Sequence, residues 1–167
     1  LHLCDRRQRQ MCIRDRYGNM QWFDGWLKEQ VRHGKLEEEA AGCIRQADIL
    51  EFLQCDSGKR MQEAARKQKL YREQPFVLGV DAKELYPEEE DGELILIQGI
   101  IDAYFEEPDG LVVLDYKTDK VNNGKELAEK YQEQLRYYAK ALEQISGKKV
   151  KEKIIYSFTL KKEIYIE

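Results

Sequence analysis

The sequence predicts a mixed α/β domain in which helices cover a β-sheet. Three observations support this class. Apolar residues recur at helical spacing between residues 20 and 71, and apolar runs typical of strands follow between residues 76 and 118. A second helical stripe and further strand-like runs complete the chain, whose 167 residues suit one domain with one core.

The chain opens with an arginine-rich stretch and continues with a helical segment. Residues 1–16 carry five arginines and no sustained apolar period, so residues 1–19 are predicted to be a disordered or non-native tail. Helices are expected over residues 20–71, with a break at His33-Gly34. The last of these helices is predicted to start at Lys59 and to run to Tyr71.

The remaining residues, 72–167, are predicted to form the core of the domain around the sheet. Apolar residues at helical spacing between residues 127 and 145 predict a long helix, which should end at Ser146-Gly147. Further strands, besides a central hairpin, are expected at residues 76–80, 154–160 and 164–166.

A β-hairpin that carries two acids and a lysine is the most informative feature of the chain. Two apolar runs flank the turn sequence E-P-D-G at residues 107–110, where Pro and Gly favour a tight turn. If the hairpin is symmetric about the middle bond of that turn, Asp102 lies opposite Asp115. Lys117 then shares their face, because side chains alternate along a strand. A three-residue loop would shift the pairing by one residue and separate the two aspartates.

Two aspartates at the ends of apolar runs indicate a buried site. Carboxylates directly opposite across two strands are roughly 5 Å apart and repel each other. A divalent cation between Asp102 and Asp115 reverses the sign of that interaction, because hard cations bind carboxylate oxygens. The alternative is an unrelated α/β domain in which both are exposed strand charges. Burial of both would argue against that alternative, and a register shift at Gly110 would support it.

The long helix adds two polar side chains to this group. Gln134 and Tyr138 are spaced i, i+4 and therefore lie on one helical face. Tyr138 belongs to the apolar stripe, so it is equally well interpreted as a core tyrosine with its hydroxyl at the edge. Gln134 lies at the boundary of the stripe, from which it could reach the sheet.

Several motifs together resemble those of a known family. The chain is similar to the RecB-type branch of the PD-(D/E)XK nucleases, and most of all to the C-terminal nuclease domains of AddA-type helicase–nucleases from bacterial AddAB recombination complexes. The resemblance is strong over residues 71–157 and absent over the first sixteen. The motifs are Y-R-E-Q-P-F at residues 71–76, G-I-I-D at 99–102, L-D-Y-K-T-D at 114–119 and Q-L-R-Y-Y at 134–138.

The resemblance implies a restriction-endonuclease-like fold, a mixed sheet flanked by helices with an N-terminal helical segment. It also implies a Mg²⁺-dependent DNA exonuclease that hydrolyses phosphodiester bonds in double-strand break repair and recombination. Asp102 and Asp115 would bind the catalytic Mg²⁺, in a number of ions left open, and Lys117 would orient or activate the attacking water. Gln134 and Tyr138 would position the site or the DNA backbone.

The resemblance further implies partners and one less certain residue. The partners would be DNA, as a single strand or an end, the helicase portion of the same polypeptide and an AddB-like protein, in the bacterial cytoplasm. Glu73 matches a glutamate often seen before the first strand of the family. It would act either as a supporting group behind the metal ligands or as a surface charge.

Two departures from the family pattern leave a second function open. The branch usually has a metal-binding histidine in a G-T-x-x-H context, whereas this chain has only His2 and His33, of which His33 is expected at the surface. The S-G-K at residues 57–59 is not part of a P-loop, so the chain is predicted to carry no motor of its own. The alternative function is a catalytically incomplete nuclease-fold module that serves DNA binding or subunit docking.

Composition excludes several other classes. A net charge of −4 lacks the basic signature of a nucleic-acid coat protein. No apolar run approaches the roughly 18 residues of a membrane span, so no membrane partner is expected. The four cysteines form no C-x-x-C pair, which predicts free thiols rather than an iron–sulfur cluster. They are Cys4, Cys12, Cys43 and Cys55.

A group of basic residues after the hairpin has two interpretations of equal weight. They could line a track for DNA phosphates, or they could form a solvated helix face with i, i+4 pairs to glutamates. The residues are Lys120, Lys125, Lys130, Arg136 and Lys140.

Overall fold

A computed structural model describes residues 20–35, 37–42, 45–85 and 93–167 of the chain, so the predicted tail over residues 1–19 lies outside the described residues. Within these ranges several helices come first and a sheet follows. The helices are α1 (Met20–Arg32), α2 (Glu38–Gly42), α3 (Gln46–Gln54), α4 (Asp56–Arg66), α5 (Ala82–Leu85) and α6 (Gly124–Ser146). The strands are β1 (Leu70–Asp81), β2 (Leu94–Glu107), β3 (Gly110–Lys117), β4 (Val150–Ser157) and β5 (Lys162–Ile166).

The strands form one five-stranded sheet in the order β1-β2-β3-β4-β5. Neighbouring strands are antiparallel except for β3 and β4, which are parallel and are joined through α6. A parallel pair needs such a long crossover, because a hairpin turn can only join antiparallel strands. The result is a mixed sheet with helices on both faces, which confirms the predicted fold class.

Two hydrophobic cores lie on the two faces of the sheet, and β3 contributes to both. The α4-side core contains residues of α3 and α4, and the α6-side core contains residues of α6. Side chains of β3 alternate between them, so this strand is buried on both faces and its apolar run is continuous. The β3 residues are Val112, Leu114 and Tyr116 in the α4-side core, and Leu111 and Val113 in the α6-side core.

The first strand begins earlier than the sequence pattern predicts. The helix expected to reach Tyr71 ends at Arg66, and β1 starts at Leu70 rather than at residue 76. Gln68 adopts a left-handed φ of 58°, and the N–H of Lys69 donates to Ala64 at 2.8 Å, which is the Schellman geometry that ends helices. Pro75 is tolerated within the strand, because β1 is at the edge of the sheet.

The β2–β3 hairpin has the predicted symmetric register. Glu107 pairs with Gly110 across a two-residue turn, and the pairing continues without a shift to Ala103 opposite Leu114. Gly110 has a φ of 154°, and a Cβ there would lie 2.8 Å from the carbonyl oxygen of Lys149. The predicted register is therefore confirmed as far as Ala103 and Leu114, which directly adjoin Asp102 and Asp115, respectively, along their strands.

A partly buried arginine ties α4 to the sheet. The Arg60 guanidinium donates to Glu107 at 2.9 Å from both Nε and Nη2, and to Glu152 at 2.8 and 2.9 Å. These bonds hold the pKa of the Glu107 carboxyl at about 2 and raise the pKa of Arg60. Bidentate pairs of this kind fix orientation as well as supplying attraction. Arg60 thereby sets how α4 lies across β2 and β4.

Cys55 is the cysteine that lies within the described residues. It is a free thiol, and burial raises its pKa. Cys4, Cys12 and Cys43 lie outside the described residues.

Among the residues that the structure describes, no helix is long and apolar enough to cross a lipid bilayer.

We expect Gly58→Ala to destabilise the protein strongly. A Cβ at this buried position would lie 2.0 Å from the backbone oxygen of Phe52, where α3 and α4 meet, and backbone atoms cannot rotate away. Overpacking of this kind costs about 3 kcal/mol of unfolding free energy, measurable by urea denaturation. Gly79→Ala is the matched control, because its new methyl would meet the nearest atom at an ordinary 3.7 Å. Equal stability of the two variants would contradict the expectation.

The Arg60–Glu107 contact predicts a stability difference that depends on pH. The folded-state pKa of Glu107 is about 2, below its ordinary 4.5, so its contribution is present above pH 4.5 and is lost as pH falls towards 2. We expect Glu107→Gln to lose about 2 kcal/mol at pH 7 and less at pH 3, after discounting for partial exposure. Urea denaturation at both pH values tests this. Glu133→Gln, which removes an exposed i, i+3 partner of Arg136, should change little at either pH.

Candidate active site

Asp102 lies where the pairing of β2 with β3 ends and where the pairing of β2 with β1 is interrupted. It is 7% exposed, and its Oδ2 accepts a hydrogen bond of 3.0 Å from the N–H of Tyr116. A carboxylate oxygen of Asp102, rather than a backbone carbonyl of β2, therefore accepts this N–H at the point where the β2–β3 pairing ends. On the other side, the β1–β2 pairing passes from Arg72–Ala103 to Gln74–Ile101 and omits the position between them.

Glu73 occupies that omitted position, opposite Asp102. Its φ is 46°, a left-handed value that a residue other than glycine rarely adopts, and its side chain is exposed. Ile101 belongs to the α6-side core and Ala103 to the α4-side core, although residues two apart normally share a face. The face of the sheet to which the side chains of β2 point therefore changes at Asp102. Glu73 lies inside β1 rather than before the first strand, which corrects the position expected for it.

Asp115 and Lys117 lie at the end of β3 on the face that packs against α6. Asp115 is 1% exposed and Lys117 is 7% exposed. Lys117 Nζ and Asp115 Oδ2 are 2.7 Å apart, so the two charges form a buried ion pair. Burial of Asp102 and Asp115, together with the unshifted register at Gly110, overturns the alternative in which both were exposed strand charges.

Helix α6 contributes the next layer of contacts. Lys117 Nζ donates to Gln134 Oε1 at 3.4 Å, and Gln134 Nε2 donates to the Tyr138 hydroxyl. The Tyr138 ring is 6% exposed and packs edge-on against Phe76 with centroids 5.5 Å apart. Tyr138 is therefore a core tyrosine, as one interpretation expected, and its hydroxyl accepts the hydrogen bond from Gln134.

Tyr131 is close to this group although sequence reasoning missed it. Lys117 Nζ lies 4.1 Å from the centroid of the Tyr131 ring. The Tyr131 hydroxyl donates to Asp119 Oδ1 at 2.8 Å, and Lys130 Nζ reaches the same oxygen at 2.6 Å. Burial acts to raise the pKa of Asp119, but these two bonds outweigh it, and the pKa is lowered. The helical spacing of Tyr131 to Gln134, i to i+3, is the sequence signal that could have found it.

The backbone that carries Lys117 is held independently of its side chain. Lys117 pairs with Ser157 in the parallel ladder, and its carbonyl oxygen accepts the N–H of Phe158 at 2.9 Å. The hydroxyl of Thr159 donates to the carbonyl of Thr118 at 3.1 Å. Residues at the end of β4 and just after it therefore hold the main chain at the end of β3 in place. This fixed main chain sets the direction in which the Lys117 side chain leaves the strand.

The donor set suits a divalent cation of the magnesium type. Mg²⁺ commonly takes one or two carboxylates from the protein and keeps several waters. Asp102 and Asp115, both buried and on the neighbouring strands β2 and β3, could supply such a pair of carboxylates. Among the described residues no group of three or more His, Cys, Asp and Glu side chains could hold a metal. His33 is exposed in the turn after α1, and His2 lies outside the described residues.

Most of the basic residues that follow the hairpin are paired with carboxylates. Lys125 lies 3.6 Å from Glu129, Lys140 lies 2.5 Å from Glu84, and Arg136 contacts Glu133 at 2.7 Å. Together with the contact of Lys130 to Asp119, these pairs favour a solvated helix face over a continuous track for phosphates.

Comparison with known sequences supports one family. The sequence profile of the PD-(D/E)XK nuclease superfamily matches residues 6–165. Three similar proteins are named as ATP-dependent helicase/nuclease subunits. That of Lachnoclostridium phytofermentans is 38% identical over 177 residues, covering 85% of this chain and 13% of the relative. That of Acetivibrio thermocellus is 44% identical over 142 residues (81% and 11%), and that of Thermoanaerobacter sp. is 45% identical over 137 residues (79% and 11%).

The chain spans only 11–13% of the length of these three relatives. The match to the family includes the hairpin that carries Asp102, Asp115 and Lys117. The mixed sheet flanked by helices is consistent with the restriction-endonuclease-like fold of this family. From its fold and its sequence alike, the chain belongs to the PD-(D/E)XK nuclease superfamily.

Proposed function

We propose that the chain is a metal-dependent deoxyribonuclease domain that hydrolyses phosphodiester bonds from DNA ends, with Mg²⁺ as its cation. The observation that carries this proposal is the buried ion pair of Asp115 and Lys117 at the end of β3, with a further buried carboxylate, Asp102, on the paired strand β2. Charged groups are costly to bury, and such groupings are typical of catalytic sites. Membership of a nuclease superfamily supports the same chemistry.

In this proposal Asp102 and Asp115 hold the cation. When bound, a divalent cation neutralises charge on the phosphate and favours ionisation of a water molecule. Asp102 is kept in position by the N–H of Tyr116, and Asp115 by its place in the buried strand. The two side chains come from different strands, so the hairpin pairing sets the distance between them.

Lys117 is proposed to orient the attacking water and to offset the negative charge that develops on the phosphate oxygens. Its ammonium is a compact point charge on a flexible stem. Gln134 accepts one of its protons and is itself fixed through the Tyr138 hydroxyl. Gln134 and Tyr138 are therefore proposed to position Lys117 rather than to contact the reacting atoms. Glu73 is proposed to support Asp102 through the local backbone geometry.

The relatives suggest a wider setting, which is also a proposal. They are named helicase/nuclease subunits, so this chain would act as the nuclease portion of such a protein, beside a helicase portion and an AddB-like partner. The process would be repair and recombination at double-strand breaks. The second candidate is an inert nuclease-fold module for DNA binding or subunit docking. It is favoured by His33, which is exposed in the turn after α1 and therefore does not match the metal-binding histidine usual in this family.

We expect Asp115→Asn to abolish Mg²⁺-dependent digestion of end-labelled single-stranded DNA. The substitution keeps the size of the side chain but removes the charge that would bind the cation. Loss of several kcal/mol of transition-state stabilisation corresponds to about a thousandfold lower rate. Isothermal titration with Mg²⁺ should show the cation binding to the wild type and not to the variant.

Asp109→Asn is the matched control for this experiment. It makes the same chemical change on the same hairpin, at an exposed turn residue whose partner is Lys151. It should digest DNA at the wild-type rate. Absence of Mg²⁺-dependent cleavage from a folded wild-type sample would instead favour the inert module.

We expect Lys117→Met to separate cleavage from cation binding. Methionine keeps most of the length of the side chain without the charge, so the rate of cleavage should fall by about a hundredfold or more. Mg²⁺ should bind at least as tightly as in the wild type, because the ammonium that pairs with Asp115 is gone. Lys67→Met, at an exposed pair with Glu63 on α4, should change neither quantity. Weaker Mg²⁺ binding by Lys117→Met would contradict this assignment.

A further inference from the structure

Lys117 has a neighbour that the proposed mechanism does not use. Its Nζ lies over the face of the Tyr131 ring, 4.1 Å from the centroid, in addition to its contacts with Asp115 and Gln134. An ammonium is attracted to the negative face of an aromatic ring, and the attraction grows when water is excluded. Since Lys117 is 7% exposed, the ring is one of the few groups that can direct its ammonium.

Tyr131 is held at both ends of its side chain. Its side chain packs against a buried cluster of Leu135, Ile155 and Ile166, between α6 and the sheet. Its hydroxyl donates to Asp119 at 2.8 Å, in the segment that follows β3. The hydroxyl bond also limits the swing of the ring, which is therefore a fixed surface rather than a mobile one.

The contact with Tyr131 differs from the contact with Asp115 in one respect. A carboxylate that shares its charge with a bound cation attracts Lys117 less than it does alone, because the cation and the ammonium repel each other. The attraction of the ring face is unaffected by the sharing of that carboxylate. Tyr131 is thus suited to hold Lys117 when Asp115 is engaged elsewhere.

We propose that Tyr131 is a positioning residue, whose ring keeps the Lys117 ammonium directed at the reacting phosphate while Asp115 binds the metal. This inference rests on the proposed nuclease function. It adds a residue outside the acid and lysine motifs, and it assigns the ring, rather than the hydroxyl, as the part that acts on Lys117. The hydrogen bond from the hydroxyl to Asp119 contributes only by restricting the motion of the ring.

Steady-state digestion of single-stranded DNA by substituted chains tests the assignment. Tyr131→Leu removes the ring, and its kcat should fall about 10- to 30-fold while KM changes less than about twofold. Tyr131→Phe keeps the ring and loses the hydroxyl with its bonds to Asp119 and Lys130, so it should restore kcat to within about threefold of the wild type. Rescue by the conservative variant distinguishes a ring acting on Lys117 from a general packing role.

Tyr137→Leu is the matched control on the same helix. The Tyr137 ring also faces a cation, but that cation is the exposed Arg136 at 5.0 Å, away from Lys117. The control reports what loss of a partly buried tyrosine from α6 costs by itself, and kcat should remain at the wild-type level.

A second readout does not depend on cleavage. In chains labelled with ¹³C at the lysine ε-carbon, the Lys117 signal is identified by its absence from Lys117→Met. The methylene protons of a lysine lying over a ring resonate upfield of those of exposed lysines. We expect this upfield shift for the wild type and Tyr131→Phe, with and without Mg²⁺, and its loss in Tyr131→Leu.

Three results would overturn the assignment. One is a folded Tyr131→Leu with the wild-type kcat, and another is a Tyr131→Phe as impaired as Tyr131→Leu. The third is a wild-type Lys117 signal that moves to the position of exposed lysines when Mg²⁺ is added. A wild type that cleaves no DNA would instead count against the proposed function, and the lysine signal would still decide whether the ring holds Lys117.

Discussion

Asp102 and Asp115 are two buried carboxylates of like charge on neighbouring strands, and the pairing of β2 with β3 sets where they lie relative to each other. That pairing follows from a two-residue turn and continues unshifted to Ala103 and Leu114, one step before the aspartates. Because strand side chains alternate, an odd change in the turn would send Asp115 to the face of α4. The rest of the site depends on this register, since Lys117 and the α6 contacts take their positions from Asp115.

The buried charges are accommodated by partners from three different parts of the fold. Asp102 receives a backbone N–H from β3, Asp115 receives the Lys117 ammonium, and Lys117 is in turn bounded by Gln134 of α6. A buried ion pair adds little net stability compared with apolar residues of the same size. Its presence at the end of the most deeply buried strand is therefore better explained by chemistry than by folding.

How much of the molecule could be predicted depends on the range of the interactions. The hairpin, its register and the burial of both aspartates follow from local signals, namely apolar runs, a Pro–Gly turn and a strand period of two. Gln134 and Tyr138 follow from helical spacing. The start of β1 was missed, because Gln68 ends α4 in a conformation that glycine usually marks and Pro75 normally argues against a strand. The hydrogen bonds of Arg60 to Glu107 and Glu152 join residues that are 47 and 92 positions apart in the sequence. No sequence periodicity reveals contacts of that range.

The bracing of Lys117 through its main chain has an evolutionary consequence. Its carbonyl is satisfied by Phe158 and its strand neighbour is Ser157, so the main chain at this point is held without help from the side chain. Substitutions that silence the chemistry and also remove the buried charge of Asp115 can therefore accumulate without unravelling the sheet. A lineage that no longer needs hydrolysis would retain the same surfaces as a scaffold, and shape alone would not tell an active descendant from a silent one.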